Sequence, residues 1–417
     1  MVQWMGGKPV VRELKSLAIL LLLLLFTACG SGSDEGEPTK PEEKPVLKLY
    51  LFAPDHPIIT RADVGNVDAS VDENRVNTLD VWVFEQGTST LVSHARLNKL
   101  TFDAQTGQKE ITMDISKEFA DKSPKPQVDI FVAANAAACC DQVFNKKTTT
   151  TALKAALIKK GDTEDFFGLT DLTLGIPVMP VPEAGLPMSG FLKNQTVTGT
   201  APVFTAKVNN VKLVRAVSKV RLIFSKSNST PPAISDLSVS LNAGMLPNQE
   251  YLFLDYDDNT GIKYHINAEG GYNEAATLIE GVRSDAERDD INDCVNPASY
   301  EFRFASATEG GQDYEDRINE GLTTQTGQTN PDLSELGRFY FRESDKQLKG
   351  TISYTLGSGE SAQQKSAEFS MASSGDFTRN HTWIVYGYFL GSGELVLNVV
   401  CVKNWTEDND DGKLHNW

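Results

Sequence analysis

The chain has 417 residues, with 39 Lys or Arg against 56 Asp or Glu, which gives a formal net charge of −17 at pH 7. Such an acidic chain repels phosphate backbones and lacks the basic surface of a nucleic-acid-binding protein. The composition therefore excludes nucleic acid as a partner, and the length allows two domains with substantial cores.

Residues 1–28 are predicted to be a signal peptide. Three basic side chains precede LAILLLLLLFTA, an apolar run at 17–28 that is too short to cross a bilayer as a helix. The small residues before Cys29 resemble a bacterial lipobox, in which the cysteine becomes the lipidated first residue of the mature chain. The competing interpretation is an ordinary signal peptide followed by an incidental cysteine.

Residues 29–45 are predicted to be a disordered tether, because GSGSDEGEPTKPEEKP is small, acidic and unable to bury apolar surface. An acidic stretch directly after the lipid-bearing cysteine resembles the surface-export signals of Bacteroidales lipoproteins. Together with Cys29 it predicts a protein of the outer membrane or cell surface, held there by outer-membrane lipid.

Alternation of apolar and polar residues predicts that the fold opens with β-strands. VLKLYLF at 46–52 places Leu47, Leu49 and Leu51 on one face, and NTLDVWVFEQG at 77–87 has the same period. Two more strands are predicted at 108–115 and 126–137. TTTALKAALIKKG at 149–161 predicts a helix that ends at its glycine.

Strands resume with APVFTAKVNNVKLVRAVSKVRLIFS at 201–225, and short strands separated by long polar segments continue to the end of the chain. A domain boundary near residue 205 would give one domain at 46–205 and another at 206–417. Many short strands with minor helix predict an all-β protein of two β-sandwiches in series.

The sequence contains no recognisable catalytic or metal-binding pattern, so neither an enzyme nor a cofactor is expected. The five histidines are scattered, and DYDDNTG at 255–261 predicts an ordinary hairpin turn in preference to a calcium loop. The four cysteines after the lipobox are favoured as buried thiols, with a structural disulfide as the alternative. They are Cys139, Cys140, Cys294 and Cys401.

Several segments in order resemble the fimbrillins, the FimA- and Mfa-like pilus subunits of Bacteroidales. They are ENRVNTLDVWVFEQGT, VDIFVAANAA, LPMSG, KLVRAVSKVRLIF, RNHTWIVYGYF and VKNW. The resemblance runs from about residue 46 to the end. It implies two transthyretin-like β-sandwich domains, transport as a lipoprotein, and other pilin subunits as partners, with a host or bacterial surface ligand for adhesion.

The resemblance also implies that an arginine-specific or trypsin-like protease cuts the loop after the first strand, between Arg61 and Ala62. Strand 46–52 is then expected to detach from the edge of its sheet, exposing a groove for a neighbour's strand. The candidate donor strand is ELVLNVVCVKNW at 394–405; the alternative is that it is the last strand of its own sandwich. Its residues on one face are Leu395, Leu397, Val399 and Cys401.

Two questions of function stay open in the sequence. The polar last twelve residues suit a tip or accessory subunit, whereas a donor at 394–405 suits a stalk subunit. A monomeric glycan-binding surface lipoprotein is the alternative, and it would need exposed aromatic side chains such as Trp82, Trp383 or Tyr386.

Overall fold

The structure is a computed structural model that describes fifteen parts of the chain. They are residues 44–52, 73, 75–103, 105–138, 140, 144–159, 185–207, 211–227, 232–253, 255–257, 261–263, 270–272, 275–279, 333–371 and 377–402. In this part of the chain the fold is all-β with minor helix, as predicted. No helix within it is both long enough and apolar enough to span a bilayer.

Among the described residues, the first half of the chain has ten strands. They are β1 (Val46–Phe52), β2 (Val76–Glu85), β3 (Leu91–Leu100), β4 (Gln108–Asp114), β5 (Val128–Ala134), β6 (Leu157–Lys159), β7 (Met188–Thr200), β8 (Val203–Lys207), β9 (Val211–Lys212) and β10 (Val214–Arg215). Nine of them form one hydrogen-bonded array in the order β3-β2-β5-β7-β8-β1-β4, with β10 beside β7 and β9 beside β1. Strand β7 joins two ladders, because it pairs first with β5 and then with β8.

The described part of the second half has eleven strands. They are β11 (Ser218–Lys226), β12 (Ile234–Leu241), β13 (Gln249–Tyr251), β14 (Asp255–Asp257), β15 (Gly261–Lys263), β16 (Ala276–Ile279), β17 (Ser334–Phe341), β18 (Leu348–Leu356), β19 (Gln363–Met371), β20 (Thr382–Phe389) and β21 (Leu395–Val402). Two four-stranded sheets have the orders β17-β11-β20-β21 and β16-β12-β18-β19. They pack together through Tyr354 and Phe389, whose ring centroids lie 5.0 Å apart.

Sheet membership changes between Arg215 and Ser218, which is ten residues after the boundary expected from the sequence. The division into two domains near residue 205 stays a prediction. Strands β14 and β15 pair as an antiparallel hairpin, which agrees with the hairpin interpretation of DYDDNTG.

The predicted helix at 149–161 is only partly right. Two short helices, α1 (Lys117–Asp121) and α2 (Thr150–Lys154), are present among the described residues. Thr149 caps α2, since its hydroxyl accepts a hydrogen bond of 3.2 Å from the Ala152 N–H. The chain then turns into strand β6, which pairs with β13 and buries Ile158. Pairing with a distant strand thus overrides local helix propensity.

The turn after β5 is held by the side chain of Asn135. Its Oδ1 accepts hydrogen bonds from the N–H groups of Asn77 and Thr78, at 2.8 and 3.2 Å. Its Nδ2 donates to the carbonyls of Arg75 and Leu186, at 2.7 and 2.9 Å. One side chain therefore joins the start of β2, the end of β5 and the approach to β7.

A segment of the second half, residues 245–253, is built into the first half. Its strand β13 pairs antiparallel with β6. The Leu252 N–H donates to the Ala156 carbonyl at 2.9 Å, and the Ser189 hydroxyl donates to the Leu252 carbonyl at 2.7 Å. We call this segment the clasp.

Buried charges hold the clasp from the side of the second half. Arg379 donates to the carbonyls of Tyr251 and Leu252, at 2.7 and 2.9 Å, and it pairs with Glu343 at 2.6 Å. Glu250 is fully buried in the same cluster, where its Oε2 accepts a hydrogen bond from the Glu343 N–H at 3.0 Å. The clasp is therefore fixed to both halves.

Glu73 makes the opposite insertion, from the first half into the second. Its buried carboxylate accepts hydrogen bonds from Lys219 Nζ at 3.1 Å and from the Tyr340 hydroxyl at 2.5 Å. Its carbonyl lies 3.4 Å from the Nε of Arg215. Each half thus anchors a piece of the other, in keeping with the single compact unit formed by residues 44–417.

Stability should depend on pH through Glu250. Burial raises the pKa of Glu250 to about 8, although Arg379 acts in the opposite direction. The unfolded chain gives up this proton near pH 4.5, so the folded state binds the extra proton between the two values and loses stability as the pH rises. Urea denaturation at pH 5, 6.5 and 8 should show a weaker pH dependence for Glu250→Gln, and greater stability than wild type at pH 8.

Glu335→Gln is the matched control, because this carboxyl has the opposite shift. Burial acts to raise its pKa, but Arg221 and Arg338 outweigh burial and lower it to about 2. Its stabilising contribution is present above about pH 4.5 and is lost as the pH falls towards 2. The variant should therefore be destabilised at pH 7, by about 3–5 kcal/mol. A Glu250→Gln variant less stable than wild type at pH 8 would contradict the first assignment, and a Glu335→Gln variant as stable as wild type at pH 7 would contradict the second.

Asn135→Ala should lower the free energy of unfolding by at least about 2 kcal/mol, because two N–H groups and two carbonyls lose their partner. The substitution also places alanine at a φ of 55°. Asn135→Gly relieves only the backbone strain and should remain nearly as unstable. Chemical denaturation measures both, and full recovery with glycine would show that the hydrogen bonds contribute little.

Candidate functional site

Strand β1 supplies a large part of the core of the first half. Leu47, Leu49 and Leu51 are fully buried, whereas Lys48 and Tyr50 point outwards between them. This is the face assignment predicted from the alternation. Burial of the three leucines stabilises the fold by roughly 5–9 kcal/mol, at about 1.5–3 kcal/mol each.

The neighbours of β1 differ from the expectation. Along its whole length β1 pairs antiparallel with β4, from Val46 opposite Asp114 to Phe52 opposite Gln108. On the other side, its first three residues pair in parallel with β8 and its last two pair in parallel with β9. The predicted edge position is therefore wrong, because β1 lies between two sets of strands from its own chain.

Alternation could not reveal this arrangement, because the period of a strand reports its buried face and carries no information about the number of its neighbours. The parallel partners begin about 150 residues later in the sequence. An interior strand cannot fray from an edge; it can leave only if both ladders open. Its removal would leave a groove with two rims of unpaired backbone groups.

The rims of this groove are apolar towards the core. On the β4 side they carry Ile111 and Met113, and on the β8 and β9 side Phe204, Ala206 and Val211, all of which are buried. The first residue of β1 is also tied in place, since the Val46 N–H donates to the Pro202 carbonyl at 2.8 Å.

The outward face of β1 carries a polar contact that the sequence did not indicate. Glu110 of β4 accepts hydrogen bonds from Lys48 Nζ and from the Tyr50 hydroxyl, both at 2.8 Å. The two hydrogen bonds, that from Lys48 being the larger effect, lower the pKa of Glu110. A pairing between residues about 60 positions apart has no local sequence signal.

The predicted lipidation and cleavage sites lie outside the described residues. Cys29 precedes the first of them, and Arg61 and Ala62 fall in the stretch 53–72 between β1 and Glu73. Of the cysteines, Cys140 is a half-buried thiol. Among the described residues, no three His, Cys, Asp or Glu side chains are grouped as metal ligands.

The candidate donor strand is present as β21, at the end of its sheet beside β20. Eight residue pairs join the two strands, from Thr382 opposite Val402 to Phe389 opposite Leu395. Leu395 is buried, while Leu397 and Val399 are half-buried against the core; Cys401 belongs to the strand. Among the described residues, β21 thus pairs with a strand of its own sandwich.

The aromatic side chains considered for glycan binding are buried in the core. Trp82, Trp383 and Tyr386 are 0%, 7% and 1% exposed. Trp82 also donates its indole N–H to the Asn145 carbonyl at 2.9 Å. These three residues therefore cannot form an exposed stacking platform.

Comparison with known proteins gives two sequence matches. The family described as "Major fimbrial subunit protein (FimA)" matches residues 58–224. The minor fimbrium tip subunit Mfa3 of Porphyromonas gingivalis is 27% identical over 241 residues, which cover 56% of this chain and 48% of the relative. The chain thus spans about half the length of the curated relative that it matches.

Solved structures are similar at lower identity. A proposed cell adhesion protein from Bacteroides eggerthii has a TM-score of 0.46 at 15% identity and covers 89% of this chain and 99% of its own. The C-terminally truncated tip fimbrial protein Mfa3 of Porphyromonas gingivalis has a TM-score of 0.43 at 14% identity, covering 87% and 100%. Similarity of fold at this level does not identify a function, so the functional assignment depends on the two sequence matches.

Leu49→Ala should lower the free energy of unfolding by about 2–5 kcal/mol, since it leaves a cavity at the centre of β1. Lys48→Ala is the matched control on the outward face, and its cost should stay below about 1 kcal/mol. Urea denaturation of the uncut protein compares the two. Similar small losses would show that β1 contributes little to the core.

Proposed function

We propose that this chain, which belongs to the fimbrillin family, is a structural subunit of a cell-surface fimbria and takes part in adhesion. The two sequence matches carry the proposal, because one is to a family of major fimbrial subunits and the other to a fimbrial tip subunit. Other pilin subunits are its principal partners. The matched region begins at residue 58, three residues before Arg61.

The proposed route to the surface begins with lipidation at Cys29, which follows an apolar leader and precedes an acidic tether. The lipid holds the precursor in the outer membrane. A trypsin-like or arginine-specific protease then cuts after Arg61, separating the lipidated piece that contains β1 from the remainder of the chain.

Assembly then proceeds by strand exchange at the groove of β1. Because β1 pairs on both sides, a groove left empty would expose two rims of unpaired backbone groups and an apolar floor. We therefore expect the incoming strand to displace β1 progressively, one residue pair after another. The new strand regains both ladders and the burial of three apolar side chains. Until then β1 protects the precursor.

The donor is a strand from a neighbouring subunit, and β21 is the donor that this chain itself offers. Strand β21 is held by one ladder at the end of its sheet, so it can leave β20 without opening a second ladder. Serving as a donor suits a stalk position, whereas a chain that keeps β21 in place suits a tip or accessory position.

Cleavage is tested by Arg61→Ala in cells that assemble fimbriae. The surface protein should begin at Ala62 in the wild type and at lipidated Cys29 in the variant, as read by mass spectrometry. Fibres containing the variant should be lost, because β1 would remain covalently attached to its groove.

The matched control is Arg96→Ala, which removes a partly exposed arginine from strand β3 rather than from the loop. This variant should mature and assemble as the wild type does. Assembled wild-type fibres in which every subunit still begins at Cys29 would overturn cleavage and the exchange that follows from it.

A further inference from the structure

The strand that fills the groove in this structure shows what the groove accepts. Leu47, Leu49 and Leu51 fill the core, and the two side chains between them both donate to one carboxylate, Glu110 of β4. Each oxygen of Glu110 receives one of these hydrogen bonds. The contact lies at the surface, where Tyr50 is 36% exposed.

Removal of β1 takes away both donors and leaves Glu110 on the rim of the groove. A carboxylate at this position favours a replacement strand that restores positive charge or a hydroxyl donor, and it disfavours an acidic strand. Because the pair is exposed, its effect on affinity is modest, but it depends on the residue types at two defined positions.

We propose that Glu110 selects the strand that replaces β1, favouring a partner subunit whose strand has apolar residues at three alternate positions and Lys, Arg or Tyr at the two positions between them. This selection rests on the proposed strand exchange. Glu110 contacts the outward-facing side chains of the incoming strand, whereas the apolar floor of the groove contacts only its inward-facing side chains.

A second copy of this chain meets the requirement poorly. The segment 394–405 can place three apolar residues at alternate inward positions in two registers. With Leu395, Leu397 and Val399 inward, the positions between them hold Val396 and Asn398. If the strand shifts by two residues, Leu397, Val399 and Cys401 face inward, and the positions between them hold Asn398 and Val400. Neither register therefore offers a cation or a phenol. The favoured occupant is therefore a strand from a different subunit.

Peptide competition tests the selection. The full mature chain is cut by limited digestion with trypsin, whose one target sequence between residues 53 and 72 is Arg61. Labelled peptides VLKLYLF, VLMLFLF and ELVLNVVCVKNW then compete to displace the β1 piece; the second keeps the shape of the first and lacks both donors. The first peptide should bind about two- to tenfold more tightly than either of the others, the range expected for an exposed ion pair with one further hydrogen bond.

Glu110→Gln provides the decisive comparison, since it keeps the shape of the rim and removes its charge. In this variant the ratio of the affinity for VLKLYLF to the affinity for the peptide without donors should fall towards one. A preference that survives in Glu110→Gln, or equal binding of ELVLNVVCVKNW and VLKLYLF to the wild type, overturns the selection and leaves strand exchange standing. Failure of every peptide to enter the cut protein overturns strand exchange itself and the selection with it.

Discussion

The placement of three leucines on a strand with two sets of neighbours is the constraint on which the structure of the first half depends. Strand β1 contributes both core volume and the hydrogen bonds that join β4 to β8 and β9. If β1 were lost without replacement, an apolar floor and two rows of backbone groups would meet water together. Only another strand supplies side chains and backbone partners at once, so this position favours exchange over simple release.

The second organising feature is the connection between the two halves. The clasp carries residues of the second half into a two-stranded pairing with β6, while Glu73 carries a carboxylate of the first half to Lys219 and Tyr340. Both contacts are buried, so breaking either one would leave polar or charged groups without partners in the interior. The halves are therefore joined by more than the chain that runs between them.

Local patterns were sufficient to predict the first strands and the buried face of β1. The alternation in 46–52 and 77–87 gave strands β1 and β2 to within two residues, and it assigned the buried face of β1 correctly. Strand β2, by contrast, is buried on both faces from Leu79 to Phe84. Strand β3 was missed, because LVSHARLNKL mixes small and polar residues on both faces and is half-exposed. The helix at 149–161 was overextended, because its second half is recruited as a strand by β13.

Contacts between distant segments were beyond such patterns. No feature of the sequence around Glu110 or Glu73 marks either residue as the partner of a strand or a sheet many positions away. The edge position assigned to β1 failed for the same reason, since its parallel partners follow some 150 residues later. The sequence thus predicted the apolar floor of the candidate groove, whereas the strands that form its rims could be identified only from the structure.

The opposed insertions would have a mechanical consequence in a fibre, if the chain serves there as proposed. Tension applied to the first half would reach the second through the clasp and through Glu73 side by side, as well as through the backbone. Connections strained in parallel share the force, so neither buried ion-pair cluster must withstand all of it alone. The two halves would therefore separate less readily than halves joined by the backbone alone.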